Sequence, residues 1–300
     1  MNGRVLKSTG SFYKVNTPDG IIECKLGGRL RLEELKHTNP VSVGDIVILS
    51  EEGLIIDIEP RQNYLIRKSV NLSKQTHIIA ANIDFIWIVA TYKQPRTSTG
   101  FINRILITAE AYQIPCGILY NKKDLLNDDD KDEVEFLTHA FKKIGYPAYL
   151  VSAYDKSDTD LVRNLLAGKT SLFTGHSGSG KSTLLNAIDS TLNIRTGDIS
   201  RKFEKGKHTT TFAEMFLLQS GGYVIDTPGL KEFGLASMQK NEISGYFREM
   251  QALRSKCKFY NCMHINEPDC EIIRGVSDGR IAPFRYDDYL VMITSDEVAD

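Results

Sequence analysis

The sequence predicts a multidomain chain: a small N-terminal β-barrel, a central α/β domain, and a small, mainly helical C-terminal domain built to hold a metal. Three observations carry this. Residues 1–68 read as short strands separated by Gly and Pro. From Asn82 onward strand-like and helix-like stretches alternate. Beyond about Glu232 the strand pattern stops, and a cluster of cysteines and a histidine follows. The expected domains are 1–68, 69–231 and 232–300.

In the first segment, strands are expected over 12–15, 21–26, 41–49 and 54–58, with Pro18, Gly20, Gly27, Gly28, Pro40 and Gly53 between them. The segment is too short for a large sandwich. In the second, residues 83–90 (IDFIWIVA) form an almost unbroken apolar run, as in a strand buried on both faces. A helical stripe follows at Ile102, Ile105, Leu106 and Ala109, then a strand over 114–120. The alternation continues through 148–151, 161–166, 170–174 and 184–188, and a hairpin is expected around Gln219-Ser220-Gly221-Gly222.

A chain of 300 residues allows two or three domains. With 41% hydrophobic and 25% charged residues it has the composition of a folded protein. The net charge of -1 excludes a polycation, so any nucleic-acid contact has to come from local basic patches. No stretch approaches the roughly 20 apolar residues of a membrane span. The start, Met1-Asn2-Gly3-Arg4, leads into alternating residues rather than the apolar run of a signal peptide. A cytoplasmic protein without membrane contact is expected. Three of the five cysteines crowd between Cys257 and Cys270, which suits a metal site in a reducing compartment better than disulfides.

Gly175-His176-Ser177-Gly178-Ser179-Gly180-Lys181-Ser182 satisfies G-x-x-x-x-G-K-[ST] between a strand and a helix. Its glycines let the backbone wrap phosphate oxygens, and the loop N–H groups and helix start supply partial positive charge. Lys181 would reach the β- and γ-phosphates and Ser182 would ligate Mg²⁺. Thr183 completes the set expected to touch nucleotide.

Asn121-Lys122-Lys123-Asp124 ends an apolar strand and resembles the N-K-x-D motif of GTPases. The Asp124 carboxylate can accept from guanine N1–H and its 2-amino group, whereas adenine offers an acceptor there. Asn121 would brace the loop, and the Lys122 stem would lie over the base. Ser152-Ala153 resembles the motif whose backbone N–H meets guanine O6. Asp226-Thr227-Pro228-Gly229 resembles D-x-x-G, with Asp226 toward Mg²⁺ and the Gly229 N–H at the γ-phosphate. His208-Thr209-Thr210-Thr211 stands where a switch threonine belongs, and Thr210 is taken as the Mg²⁺ ligand.

All five GTPase elements are present, but N-K-x-D and Ser-Ala precede the P-loop. The same site forms if an ordinary GTPase is cut after D-x-x-G and its old ends are joined, which termini lying close together permit. The chain therefore reads as a circularly permuted P-loop GTPase. Leu230 occupies the place of the water-orienting glutamine of Ras-like enzymes, so another group must serve. His208 is the first candidate and His176 the second. The basic run Arg201, Lys202, Lys205, Lys207 is either a solvated loop or an RNA-facing one.

Cys257, Cys262, His264 and Cys270 give C-x4-C-x-H-x5-C, three thiolates and one imidazole, the closed set a structural Zn²⁺ prefers. Around it, Arg248, Arg254, Lys256 and Lys258 interleave with Phe247, Phe259 and Tyr260, as an RNA face or an ordinary helix with an apolar stripe.

Taken together, the barrel, N-K-x-D ahead of the P-loop, H-T-T-T, D-T-P-G and the Cys/His spacing resemble the RsgA family of small ribosomal subunit biogenesis GTPases. The resemblance covers nearly the whole chain. It implies an OB-fold N-terminal domain, one structural Zn²⁺ per chain, and Mg²⁺ bound with GTP. It implies GTP contacts from Asn121, Lys122, Asp124, Ser152, Ala153, the loop Gly175 to Thr183, Thr210, Asp226 and Gly229, and His208 as the catalytic group. It further implies a monomer that binds the small (30S) ribosomal subunit and its rRNA late in maturation, is stimulated by it, and is controlled by GTP and GDP. Two other functions compete: a GTP-gated RNA-binding switch with little catalytic role, and an ATP-dependent kinase or transporter ATPase, against which the N-K-x-D loop argues.

Overall fold

The computed structural model describes residues 1–9, 12–28, 30, 40–68, 76–194, 213–226 and 238–295. The expectations placed on His208, Thr210, Gly229 and the basic run from Arg201 lie outside the described residues.

The first five strands are β1 (Asn2–Ser8), β2 (Tyr13–Thr17), β3 (Gly20–Leu26), β4 (Ile46–Leu49) and β5 (Leu54–Ile58). They close on themselves in the order β1-β2-β3-β5-β4, with β4 pairing back to β1, so the expected small barrel is a five-stranded OB-like one. Alternation fills it: Tyr13, Val15 and Thr17 are buried while Lys14 between them is exposed. Val5, Cys24, Val47 and Ile55 complete the core.

The strand expected over 41–49 begins only at Ile46. Residues before it are bent into a turn, where the Ser42 N–H donates to Asp45 Oδ2 at 2.7 Å and the Asp45 N–H to the Ser42 carbonyl at 3.1 Å. Gly44 sits at φ +91°, and a Cβ there would collide with the Ala81 carbonyl. The fully buried Asp45 is gripped by Arg61 Nε and Nη2, both at 2.7 Å.

A separate hairpin follows, β6 (Tyr64–Lys68) with β7 (Thr76–Ala81), which the periodicity does not single out. Asn63 clasps Ile83, its side chain accepting from the Ile83 N–H and donating to the Ile83 carbonyl, both at 2.8 Å.

The central domain holds β8 (Phe85–Ala90), β9 (Cys116–Tyr120), β10 (Ala148–Leu150), β11 (Thr170–Thr174), β12 (Glu214–Leu217) and β13 (Tyr223–Asp226). Its order is β10-β9-β8-β11-β13-β12; the first five run parallel, and β12 and β13 make the expected antiparallel hairpin. Helices α1 (Thr99–Ala111), α2 (Asp128–Lys143), α3 (Lys156–Leu166) and α4 (Lys181–Ile188) cover the two faces. Ile86, Ile88 and Ala90 of β8 enter the core on one face; Trp87 and Val89 enter the core on the other. That double burial is why the run is apolar throughout.

The barrel joins the edge of this sheet. Lys7 stands opposite Glu214 and pairs with it at 2.9 Å, so one eleven-stranded sheet runs through both units. Arg4 adds a 2.5 Å bond to Thr170 Oγ1 and lies over the Tyr223 ring.

The last described part contains α5 (Lys240–Ile243), α6 (Arg248–Arg254), α7 (Glu271–Ser277) and α8 (Pro283–Thr294), the last opened by a proline at its first turn. Among the described residues no strand follows β13, and no helix is long and apolar enough to cross a membrane.

Replacing Asp45 by Ala strands the Arg61 guanidinium and the Ser42 N–H, and should cost about 3 kcal/mol. Urea unfolding followed on the barrel should show an earlier midpoint for Asp45→Ala than for Asp45→Asn. An unchanged midpoint would mean that the pair does not hold the barrel.

Candidate functional site

Every parallel strand ends on the same edge, and the candidate nucleotide residues gather there. The P-loop follows β11, the Asn121 loop follows β9, Ser152-Ala153 follows β10, and Asp226 closes β13. β8, the first strand, has β9 on one side and β11 on the other, so successive connections leave in opposite directions. A crevice at such a switch point is where open α/β sheets bind ligands.

The P-loop is shaped by its glycines. Gly178 and Gly180 adopt φ +81° and +88°, and Gly180 caps α4 in the left-handed region. A Cβ at Gly180 would collide with the Asn121 amide. That closeness is functional geometry: Asn121 Nδ2 donates to the Ser179 carbonyl at 3.0 Å, joining the base loop to the phosphate loop as expected of a brace. The Asn121 Oδ1 and Ser179 Oγ atoms are buried with no hydrogen-bond partner in the protein, an unmet polar demand at the crevice.

Lys181 folds back on its own loop, Nζ donating to the carbonyls of Gly175 at 2.8 Å and His176 at 2.9 Å. Burial holds its pKa below the ordinary lysine value, against the opposing charge of Asp226. A half-desolvated ammonium beside a helix N-terminus is a site for an anion. Ser182 and Thr183 open α4 beside it.

The base side is tied together by side chains. The Ser152 hydroxyl donates to Asp124 Oδ1 at 2.5 Å and accepts from the Tyr154 N–H at 3.1 Å. The Ser152 N–H is taken by Asp158 Oδ2 at 2.9 Å. The Ala153 N–H makes no backbone hydrogen bond among the described residues. Lys122, at φ +66°, sends Nζ to the Gln94 carbonyl at 2.6 Å.

Several contributors escaped the sequence reading. Lys123, the variable position of its motif, pairs with Asp155 at 3.1 Å and Asp158 at 2.6 Å, clamping the two base loops. The Ser157 hydroxyl, then Lys123, brings the Asp155 carboxyl down to about 2, so this clamp stays charged through the neutral range. The loop after β8 folds over the site: the Thr91 N–H donates to Thr97 Oγ1 at 3.0 Å, and Pro95 lies beside Gly178. Its place at the end of a buried strand was the available signal. His176 is stacked on Phe101 of α1, ring centroids 3.9 Å apart and planes at 28°.

In the C-terminal part, the ligand atoms of Cys257, Cys262, His264 and Cys270 lie within 4.8 Å of one another. Cys257 Sγ and Cys270 Sγ stand 3.6 and 3.4 Å from His264 Nδ1, and 3.9 Å apart. A tetrahedral ion with Zn–S of about 2.3 Å and Zn–N of about 2.0 Å has edges of about 3.5–3.8 Å, so the set fits a metal ion held through Nδ1. Burial pushes the Cys262 thiol up to about 12 and keeps His264 neutral-leaning; a cation is what would make such thiols ionise. The loop is preformed: the Glu267 carboxylate accepts from the N–H groups of Met263, Ile265 and Asn266, and Tyr286 and Tyr289 of α8 donate to the carbonyls of His264 and Met263 at 2.7 Å. Phe247 is buried, Tyr260 is fully exposed and Phe259 partly so, so the aromatic residues near the cluster divide between core and surface.

A permuted α/β sheet with a P-loop braced by an N-K-x-D asparagine defines the class as circularly permuted P-loop GTPase. Comparison with known proteins narrows it. The family model described as RsgA GTPase matches residues 58–236, and that of the RsgA N-terminal domain matches residues 2–54. A protein of Bacteroides fragilis named small ribosomal subunit biogenesis GTPase RsgA is 47% identical over 99% of this chain and 97% of its own length. One of the same name from Christiangramia forsetii is 46% identical over 99% and 97%. The crystal structure of YjeQ from Thermotoga maritima superposes with a TM-score of 0.79 at 32% identity, covering 97% of this chain and 96% of that one. YloQ, described as a circularly permuted GTPase, gives 0.74 at 29% identity over 98% and 93%. The chain belongs to the RsgA GTPase family, a family of GTP-hydrolysing enzymes.

Removing the metal site should unseat the loop that holds α8. Cys262→Ser, or dialysis against a strong chelator, should abolish metal binding and lower the thermal midpoint of the C-terminal part. Metal analysis and near-UV circular dichroism read both; full stability without metal would make the cluster a set of buried thiols only.

Proposed function

We propose that this GTPase acts in late maturation of the small ribosomal subunit, that the subunit stimulates its hydrolysis of GTP, and that the nucleotide state sets association and release. The observation that carries the nucleotide site is the Asn121–Ser179 bond, which unites base and phosphate loops across the strand edge. The subunit as partner is supported by the names of relatives that match almost end to end.

In this proposal the glycines of the P-loop and the N–H groups of residues 175–183 cradle the phosphates. Lys181 bridges the β- and γ-oxygens, while Ser182, Thr210 and Asp226 serve Mg²⁺, which neutralises charge on the transferring phosphoryl group. Asp124, already accepting from Ser152, uses its remaining lone pairs for guanine, and the Ala153 N–H meets O6. The Gly229 N–H touches the γ-phosphate. His208 orients the attacking water, because Leu230 cannot. His176 is less suited to that role, since its ring already packs on Phe101. The cluster ion is Zn²⁺, one per chain, chosen by three sulfurs and one nitrogen with no open position. The units that act are the OB barrel (1–68), the GTPase domain (69–231) and the zinc domain (232–300), in a cytoplasmic monomer that touches rRNA through the barrel.

Asp124→Ala should weaken GDP binding by about a hundredfold or more while leaving ATP unbound, since buried polar recognition carries that much discrimination. Competition between guanine and adenine nucleotides checks it; equal competition by ATP would remove the guanine assignment.

GTP hydrolysis with and without purified small ribosomal subunits, for wild type and His208→Ala, tests the main proposal. Strong stimulation that the variant loses by about 10²-fold or more supports both partner and residue. Stimulation that survives moves water positioning elsewhere. Absence of stimulation in the wild type favours the GTP-gated RNA-binding switch.

A further inference from the structure

Helix α1 touches three parts of the molecule at once. Ile102, Ile105, Leu106 and Ala109 pack on the sheet. Another face holds the C-terminal part: Asn103 Nδ2 donates to Asp288 Oδ2 at 2.6 Å, and Asn103 Oδ1 accepts from Arg285 Nη1 at 2.5 Å. Arg285, 1% exposed, is gripped by both oxygens of Glu249 at 2.6 and 3.0 Å. Glu110, at the far end of α1, accepts from Arg248 Nε at 2.7 Å. At its first turn, Phe101 stacks on His176 of the P-loop. The helix that carries Arg285 and Asp288 also carries Tyr286 and Tyr289, which hold the metal-ligand loop.

The phosphate loop has a reason to pull on this chain. Two of the three Lys181 protons are committed to the carbonyls of Gly175 and His176. One proton remains for a single phosphate oxygen. Bridging a β- and a γ-oxygen takes a second proton, and one carbonyl has to be released. Gly175 is the more closely confined of the two, since even a Cβ there would meet the Val89 carbonyl. His176 is only half-buried, and it is the residue whose ring rests on Phe101.

We propose that the His176–Phe101 stack couples the γ-phosphate to the seating of the C-terminal domain through α1. The triphosphate draws Lys181 off the His176 carbonyl, loosens the stack, and weakens the hold of Asn103 on Arg285 and Asp288. The diphosphate leaves both carbonyls bonded and the domain seated. Linkage makes the effect reciprocal: a domain held on α1 disfavours the triphosphate relative to the diphosphate. The inference rests on the GTP site proposed above and adds a route to the C-terminal domain that bypasses the chain connection after β13.

Two measurements on the full-length, metal-loaded protein test it. Hydrogen exchange in α8 is compared without nucleotide, with GDP and with a non-hydrolysable GTP analogue. Residues 283–294 should exchange faster with the analogue than with GDP, and Phe101→Leu should erase the difference. Second, the ratio of analogue to GDP affinity should rise about threefold to tenfold in Phe101→Leu and in Asn103→Ala. The double variant should rise no further than the larger single one. Asp288→Asn serves in place of Asn103→Ala if that variant does not fold. Equal exchange in α8 with both nucleotides bound, or effects that multiply in the double variant, would overturn the coupling and leave the GTP site standing. Failure of the wild type to bind either nucleotide would overturn the site and the coupling with it.

Discussion

The bond from Asn121 Nδ2 to the Ser179 carbonyl is the interaction on which the rest of the site depends. The two residues lie 58 positions apart in sequence, in loops that follow β9 and β11, strands separated by β8. The P-loop carries three glycines with positive φ, and the base loop begins beside a left-handed Lys122. Glycine enters that region without steric cost, whereas Lys122 is held there by its surroundings. Joining them turns two separately adjustable loops into one rim, and the Lys123–Asp158–Ser152–Asp124 set extends that rim to β10.

Circular permutation leaves this rim intact because the sheet, not the order of the chain, sets where the loops meet. Parallel pairing brings the ends of β9, β8, β11 and β13 to one edge whichever is made first. What permutation changes is the mechanical outlet. The barrel enters along β12 through Lys7 and Glu214 and through Arg4 on Thr170, and the C-terminal domain rests on α1. Both attachments consist of buried or half-buried polar pairs set in smaller apolar contacts. For the buried Arg285 with its partners Glu249 and Asn103, breaking one bond costs more than forming it gains.

Much of this was legible from residues alone. The G-x-x-x-x-G-K-S octet, the N-K-x-D tetrad and the Cys/His spacing are short patterns whose chemistry requires those residues, and each lies in the strand-loop-helix or loop context anticipated for it. The double-sided burial of β8 was legible from an apolar run with no alternation. The strand at 41–49 was overread because Val41, Val43 and Val47 alternate well; the turn made by Ser42, Gly44 and Asp45 interrupts the pleat through polar bonds that periodicity does not register. The β6–β7 hairpin and the Thr91–Thr97 loop were invisible for the opposite reason: their shape comes from side-chain bonds to backbone, Asn63 on Ile83 and Thr97 on Thr91, that apolar periodicity does not register. Lys123 was passed over as a variable position, although its ion pairs hold the base loops together.

The C-terminal part shows why a metal is worth having there. Its apolar cluster draws on short helices, and part of that cluster is completed by Ile107 of α1 rather than by the domain itself. A core that small gives limited stability alone. Around a cation, four ligand residues within a 14-residue stretch would add a local crosslink whose strength does not depend on buried area. The cost is that the domain's fold and its seat on α1 are not independent, because Tyr286 and Tyr289 hold the ligand loop while Arg285 and Asp288, on the same helix, hold α1. All four residues fall within positions 285–289 of α8, so the hold on the ligand loop and the hold on α1 are made by one short stretch of helix.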